Sequence, residues 1–430
     1  MTDSYDELVE GDRVEVTVGA PAHGGHCVAR IGGPGGRVVF VRHALPGERV
    51  TAEITELHRG WLRADAVEIH EASPDRVTPP CAYAHPGGCG GCDLQHASGD
   101  AQLRWKTAVV REQLTRLAGL PEEEQNRIFV RVEPLPGAPG PESLLGWRSR
   151  VRYAIDAADR PGLLQHRSNQ VVPIDRCLIA HPAVQDLDVL ANDWPTVDAV
   201  QAVATTGGDV TVLARPSGST APQPGDELSE AAETGLIRLS GPPEVTEKAG
   251  GRAWRVPPQG FWQVHPAAAD TLIETVLEML EPAPGETSWD LYGGAGLFAA
   301  ALAGRTGART VVVESSPTGA AAARANLADL PGTEIVEARV DLALARRRIT
   351  APVDLVVLDP PRAGAGARVV RAIAAARPRA VAYVACDPAA LARDLKTFRT
   401  QGWRVETLRA FDCFPMTQHV ECVALLLPTP

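Results

Sequence analysis

The chain has 430 residues, 44% of them hydrophobic, and a formal net charge of −11. The apolar fraction excludes wholesale disorder, and the length allows two or three domains with sizeable cores. The acidic balance excludes indiscriminate nucleic-acid binding through bulk charge, so any such contact must use a local basic patch. The start, "MTDSYDELVEGD", is acidic and has no apolar segment, and the longest apolar runs are too short for a membrane helix. No signal peptide, no membrane contact and a cytoplasmic location are expected. In that compartment the eight cysteines point to metal binding, catalysis or burial more than to disulfides.

Residues 1–73 read as short alternating strands broken by Gly and Pro: "DRVEVTVG", "CVARIGG", "RVVFVRHALPGERVTAEITEL", "WLRADAVEIHE". This spacing predicts a small β-barrel, a type that commonly binds oligonucleotides. Residues 74–94 form a cysteine-rich loop, in which "CAYAHPGGCGGC" holds Cys81, Cys89 and Cys92. Three thiols need a fourth ligand, and "IDRCLIAHP" offers Cys177. Spacing alone suits zinc and an iron–sulfur cluster equally. Residues 95–120 carry Leu103, Val110, Leu114 and Leu117 at helical spacing, with Gly119 as the stop, and predict a helix packed on the C-terminal domain.

Residues 121–262 read as a β-rich insert with Pro/Gly loops, "PLPGAPGPE" and "RPSGSTAPQPGDE". Within it "GWRSRVRY" alternates Arg148, Arg150 and Arg152 on one strand face, with Trp147 and Tyr153 beside them and His166 and Arg167 close in sequence. Forked cations suit phosphates and aromatic rings stack bases, so RNA binding is expected here.

Residues 263–430 alternate helices with apolar strands, which predicts a doubly wound, Rossmann-like parallel sheet closed by an antiparallel hairpin. "DLYGGAGLFA" opens a helix after a strand, and Gly294, Gly296 and Ala299 satisfy G-x-G-x-x-G/A. Glu314 ends the next strand, where an acid can hold a ribose diol. Alone, this fits NAD, S-adenosylmethionine or a tight turn. The closing hairpin and the rigid "DPPR" turn at Asp359 favour S-adenosylmethionine. Cys386 ends the fifth strand on the same edge, and "DCFPMTQHVECVALL" brings His419 and Glu421 to one face of the hairpin. A thiolate added to C6 of a pyrimidine makes C5 nucleophilic toward a methyl group, and a carboxylate can then remove the C5 proton.

With "FWQV", "DLYGGAG", "DPPR", "YVACDP" and "FPMTQHVE" in this order, the chain resembles the RNA uracil-5 methyltransferases over nearly its whole length. The resemblance implies a TRAM (OB-like) barrel, the cysteine loop, the β-rich RNA-binding insert and a methyltransferase domain. It implies Cys386 as nucleophile and Glu421 as base. Gln263, Tyr292, Gly294, Gly296, Glu314, Asp341 and Asp359 fall at cofactor-binding positions. Cys81, Cys89, Cys92 and Cys177 match ligands of a [4Fe–4S] cluster, with zinc the alternative. Arg148, Arg150, Arg152 and Arg167 are expected to bind RNA. The chain departs from the family pattern at Gly293 (a cysteine elsewhere), His265 (often asparagine) and Leu297 (sometimes polar). The expected product is 5-methyluridine, in 23S ribosomal RNA first and transfer RNA second, made by a monomer. The rival readings are an amino-group methyltransferase, a non-catalytic RNA-binding protein and a nicotinamide oxidoreductase.

Overall fold

The computed structural model describes residues 8–136, 144–218 and 235–429; the two Pro/Gly loops expected in the insert fall largely outside these ranges, as do residues 1–7. The alternating N-terminal strands close into a barrel. They are β1 (Arg13–Ala22), β2 (His26–Ile31), β3 (Arg37–Arg42), β4 (Arg49–Leu57) and β5 (Trp61–Glu71), in the order β1-β2-β3-β5-β4. Val14, Val16 and Val18 of β1 point inward and meet Ala29, Val39 and Leu62.

The helix α1 (Gly99–Gln113) starts at Ser98, whose hydroxyl accepts from Ala101 N. It widens into a π-helical turn over Leu114–Ala118 and stops at Gly119, φ 65°. Two cores share this helix: Trp105 and Val109 enter the barrel core, while Val110 and Leu114 enter the core of the C-terminal domain. The short α2 (Glu122–Arg127) follows, and β6 (Val132–Pro134) then pairs parallel with a strand of the C-terminal sheet.

The insert holds β7 (Arg150–Ile155), β8 (Pro161–Leu164), β9 (Val171–Pro173), α3 (Pro182–Gln185), β10 (Val197–Ala204), β11 (Val210–Pro216) and β12 (Ile237–Ser240). Its sheet runs β12-β11-β10-β7-β8-β9. The hairpin β13 (Val245–Ala249) and β14 (Arg252–Val256) leaves the insert sheet and packs Val245, Trp254 and Val256 into the C-terminal core. Both ends of the expected 121–262 unit therefore pack with the C-terminal domain. Its first strand covers a sheet edge that would otherwise be left unpaired.

The C-terminal domain continues with α4 (Ala268–Leu280), β15 (Ser288–Leu291), α5 (Leu297–Thr306), β16 (Thr310–Glu314), α6 (Pro317–Asn326), β17 (Thr333–Glu337) and α7 (Val340–Ala345). It ends with β18 (Leu355–Leu358), α8 (Gly366–Ala376), β19 (Ala380–Ala385), α9 (Pro388–Thr400), β20 (Trp403–Asp412) and β21 (Glu421–Pro428). The sheet order is β17-β16-β15-β18-β19-β21-β20-β6, parallel through β19, with β21 antiparallel to both neighbours. Valines 311 and 313 face one helical layer and Val312 the other, so the strands read as continuous apolar runs. Among the described residues no helix is long and apolar enough to cross a membrane.

Candidate active site

The carboxyl edge of β15, β16, β18 and β19 collects the polar residues of the C-terminal domain. After Leu291 the chain turns through Tyr292 (φ 64°), Gly293 and Gly294 into α5. Gly293 must lack a side chain, because a Cβ there would lie 2.5 Å from Cγ1 of Val312 on β16. That close approach accounts for the absence of cysteine at this position. Among the described residues nothing lies within 4 Å of the place a Cβ on Gly294 would take, so the loop is open on its outer side. Glu314 braces the loop: Oε2 accepts from Gly294 N at 2.7 Å and Oε1 from Ser316 N at 2.6 Å. Leu297 packs into the core and presents no polar group.

Four acids stand along this edge. Asp290 is fully buried; its Oδ2 accepts from Ala299 N at 2.8 Å, but its Oδ1 has no partner among the described residues. Burial raises its pKa to about 7, with the charges of Asp359 and Glu314 adding to the effect. Asp359, which follows β18, is likewise raised to about 7 by burial. Glu421 opens β21, is 3% exposed and has an unpartnered Oε1. Burial and the charge of Asp359 push it well above the carboxylate range, against the pull of Arg362. Such a set of desolvated, mutually repelling acids is suited to a cationic ligand, and the open face of Gly294 leaves room for one.

Cys386 lies in this group. Ala385 pairs with Cys422 across β19 and β21, so one further step of the register sets Cys386 opposite Glu421. Burial raises the thiol's pKa, the charges of Glu421 and Asp359 raise it further, and Arg362 opposes them. The next residue, Asp387, caps α9 by accepting from Ala390 N at 2.7 Å, and its other oxygen meets Nε2 of His23 from the barrel at 2.9 Å. Arg362 was quoted in "DPPR" but not singled out as a site residue, although its charge acts on both Cys386 and Glu421.

The remaining cofactor candidates are more scattered. Gln263 is buried in the segment between β14 and α4. Asp341, in the first turn of α7, is held by Arg339 at 3.1 Å with Arg368 at 3.9 Å, and its charge reaches Tyr292. His265, in place of asparagine, makes a local turn: its Nδ1 accepts from Ala267 N at 3.2 Å, just before α4. Burial lowers its pKa to about 4, so the ring stays neutral and able to accept.

Cys81, Cys89, Cys92 and Cys177 line one cavity together with Arg148 and Leu163. The four thiols share this lining, but among the described residues no three His, Cys, Asp or Glu side chains are placed to hold a metal ion. Burial pushes the Cys89 thiol up to about 11, and the neighbouring Cys177 and Cys81 add to it.

The arginine stripe is corrected by the structure. Arg150 and Arg152 alternate along β7, which lies inside its sheet between β10 and β8, whereas Arg148 precedes the strand and lines the cysteine cavity with Val151. Arg150 is buried against Glu247 of β13 at 2.7 Å and is not available to a phosphate. Trp147 and Tyr153 are core residues, 4% and 1% exposed, and cannot stack on a base. Arg148 is half-buried and bonds the Arg150 carbonyl, and Arg152 is half-buried beside Arg215. Only Arg167 is exposed, at 3.7 Å from Glu56 of the barrel.

The chain is similar to known proteins over nearly its whole length. A TRAM domain model matches residues 7–67, and a tRNA (Uracil-5-)-methyltransferase model matches residues 249–428. An uncharacterized RNA methyltransferase of Streptomyces avermitilis is 49% identical, covering 97% of this chain and 99% of its own. One from Corynebacterium glutamicum is 36% identical, covering 99% of both. The crystal structure of Pyrococcus abyssi tRNA (uracil-54, C5)-methyltransferase in complex with S-adenosyl-L-homocysteine shares the fold, with a TM-score of 0.70 at 22% identity over 96% of this chain and 99% of that one.

Proposed function

From the premise that this chain belongs to the TRAM-domain RNA methyltransferases of the uracil-5 type and uses S-adenosylmethionine, we propose that it methylates C5 of a uridine through a covalent Cys386 adduct. The observation that carries this reading is that Cys386 and Glu421 each lie one residue beyond the last strand pair, Ala385 and Cys422, with the Glu421 charge acting on the thiol, at the edge where Asp290, Asp359 and the open glycine loop meet. S-adenosylmethionine supplies an electrophilic methyl group on a sulfonium cation, a charge that the four acids suit.

The chain's own residues do the rest. The Cys386 thiolate adds to C6, and the C5–C6 π electrons make C5 the nucleophile that takes the methyl group. The Glu421 carboxylate then accepts the C5 proton; the C–H pair reforms the C5–C6 double bond and the C6–S pair leaves on sulfur. Arg362 favours the charged forms of both residues. Because C5 and C6 are shielded in a stacked helix, the target uridine is flipped out or lies in a loop.

The four cavity cysteines would hold a [4Fe–4S] cluster. Methyl transfer moves no electrons, so the cluster's role would be structural. Ribosomal RNA is the substrate we favour, because the barrel combined with the cysteine cavity resembles the ribosomal branch. Transfer RNA is the rival, since the matched family model and the solved relative are named for it.

The test is a denaturing gel after incubating the protein with S-adenosylmethionine and RNA carrying 5-fluorouridine, whose fluorine cannot leave as a proton. A shifted band that disappears in Cys386→Ala is expected. A band with transfer RNA alone would move only the substrate. No band with either RNA, with activity surviving in Cys386→Ala, would point to amino-group methylation.

A further inference from the structure

The segment that leads into Glu421 is held from outside its own domain. Residues 413–420 connect β20 to β21, and four of their backbone groups are fixed by residues 93–106 of the N-terminal half. The Met416 carbonyl accepts from Asp93 N at 3.0 Å and Leu94 N at 2.9 Å. Met416 N donates to Oε1 of Gln102 at 2.8 Å, and Gln102 Nε2 reaches the Met416 sulfur at 3.3 Å. Gln418 N donates to Oδ2 of Asp93 at 3.1 Å, and Lys106 Nζ donates to the Phe414 carbonyl at 3.0 Å. Met416 is held at φ 68°, a left-handed conformation that a side chain rarely adopts unless its surroundings impose it.

Asp93 also joins this loop to the barrel. Its Oδ1 accepts from Nη2 of Arg42, the last residue of β3, at 3.3 Å. The β1–β2 turn closes over it so tightly that a Cβ on Gly25 would lie 2.9 Å from Oδ1. Two residues earlier, His23 of the same turn meets Asp387, the neighbour of Cys386. One barrel turn thus abuts the anchors of both reacting residues. Asp93 and Gln102 themselves are buried, 8% and 0% exposed, so neither is placed to touch RNA.

We infer that Asp93 and Gln102 are positioning residues for the proton-removing step: they fix the 413–420 loop so that the Glu421 carboxylate meets the C5 hydrogen. The inference rests on the reading of Glu421 as the base. Loosening the loop displaces the carboxylate and leaves Cys386, anchored on β19 and α9, in place. Addition and methyl transfer then proceed, but the C5–H bond breaks slowly, so the C6–S bond persists. Misplacement of a reacting group by about 1 Å costs on the order of 100-fold in rate.

The experiment uses the full-length protein, S-adenosylmethionine and RNA with ordinary uridine, quenched in denaturant and resolved for protein–RNA conjugate. Asp93→Ala and Gln102→Ala are expected to show at least about tenfold more conjugate than the parent, a lower kcat and a KM for S-adenosylmethionine within about twofold. Asp93→Asn keeps an acceptor for Gln418 N and is expected to restore turnover. Gln102→Ala leaves the cysteine loop untouched and guards against an effect of Asp93→Ala on cluster content. Glu421→Gln marks full arrest. Conjugate in Glu421→Gln but none in either alanine variant, or parental turnover in both, would overturn the positioning role. No conjugate in Glu421→Gln would remove the base assignment and this inference with it.

Discussion

Replacing Asp359 with asparagine should stabilise the ligand-free protein while abolishing methyl transfer, and the gain should depend on pH. The carboxyl has a pKa of about 7 in the folded protein against 3.8 in a free chain. Between these values the unfolded chain has released a proton that the folded one retains, so stability falls as pH rises; above 7 the loss is complete, and below 3.8 it is absent. A tenfold difference in proton affinity is worth about 1.4 kcal/mol, so the ceiling is roughly 4 kcal/mol at pH 8 and under about 2 kcal/mol at pH 5. Asp359 keeps partial contact with water, so roughly half the ceiling is expected at pH 8. Urea unfolding of parent and variant at both pH values measures this directly. An equal difference at pH 5 and pH 8, or a variant less stable than its parent at pH 8, would refute the idea that burying the Asp359 charge stores a cost for a cation to relieve.

Three further outcomes follow from particular contacts. Lys106 and Asp412 form a buried pair at 2.6 Å, 0% and 3% exposed, so Lys106→Met should cost about 3–5 kcal/mol. Much of that should return in Lys106→Met/Asp412→Leu, and an undiminished loss in the double variant would count against the pair as the cause. Gly293→Cys should overpack Val312 and weaken S-adenosylhomocysteine binding by about 1–3 kcal/mol, with recovery when Val312→Ala is added; calorimetric titration decides this, and a single variant that binds as its parent does would remove the steric account. Cys177→Ser should lower the iron and sulfide content of protein purified without oxygen, whereas zinc in the parent at one equivalent would replace the cluster reading.

Much of the catalytic edge was legible because alternating strands and helices place every parallel strand end on one side of the sheet. Gly294, Glu314, Asp359 and Cys386 could therefore be gathered without coordinates. The four cysteines likewise meet at one cavity although Cys177 lies far along the chain. The arginine stripe misled for a physical reason: period two says which residues share a face, not whether another element covers it, and β13 covers Arg150 with Glu247. Nor did β6 announce itself, since three residues carry no period and their pairing with β20 depends on distant chain. Asp93, Gln102 and Met416 were invisible for the same reason. The contacts that join them across the loop run mainly through backbone groups, which leave no signature in residue type.

The strand β6 has a consequence for biosynthesis. Val132 pairs with Ala410, so a strand made early must wait for one made far later in the chain. The barrel can close as it emerges, but the outer edge of the catalytic sheet stays open until β20 has left the ribosome. Until then β6 and the half-built sheet expose unsatisfied backbone and apolar surface. A chain stalled before β20 would present a finished barrel on an adhesive, catalytically silent remainder.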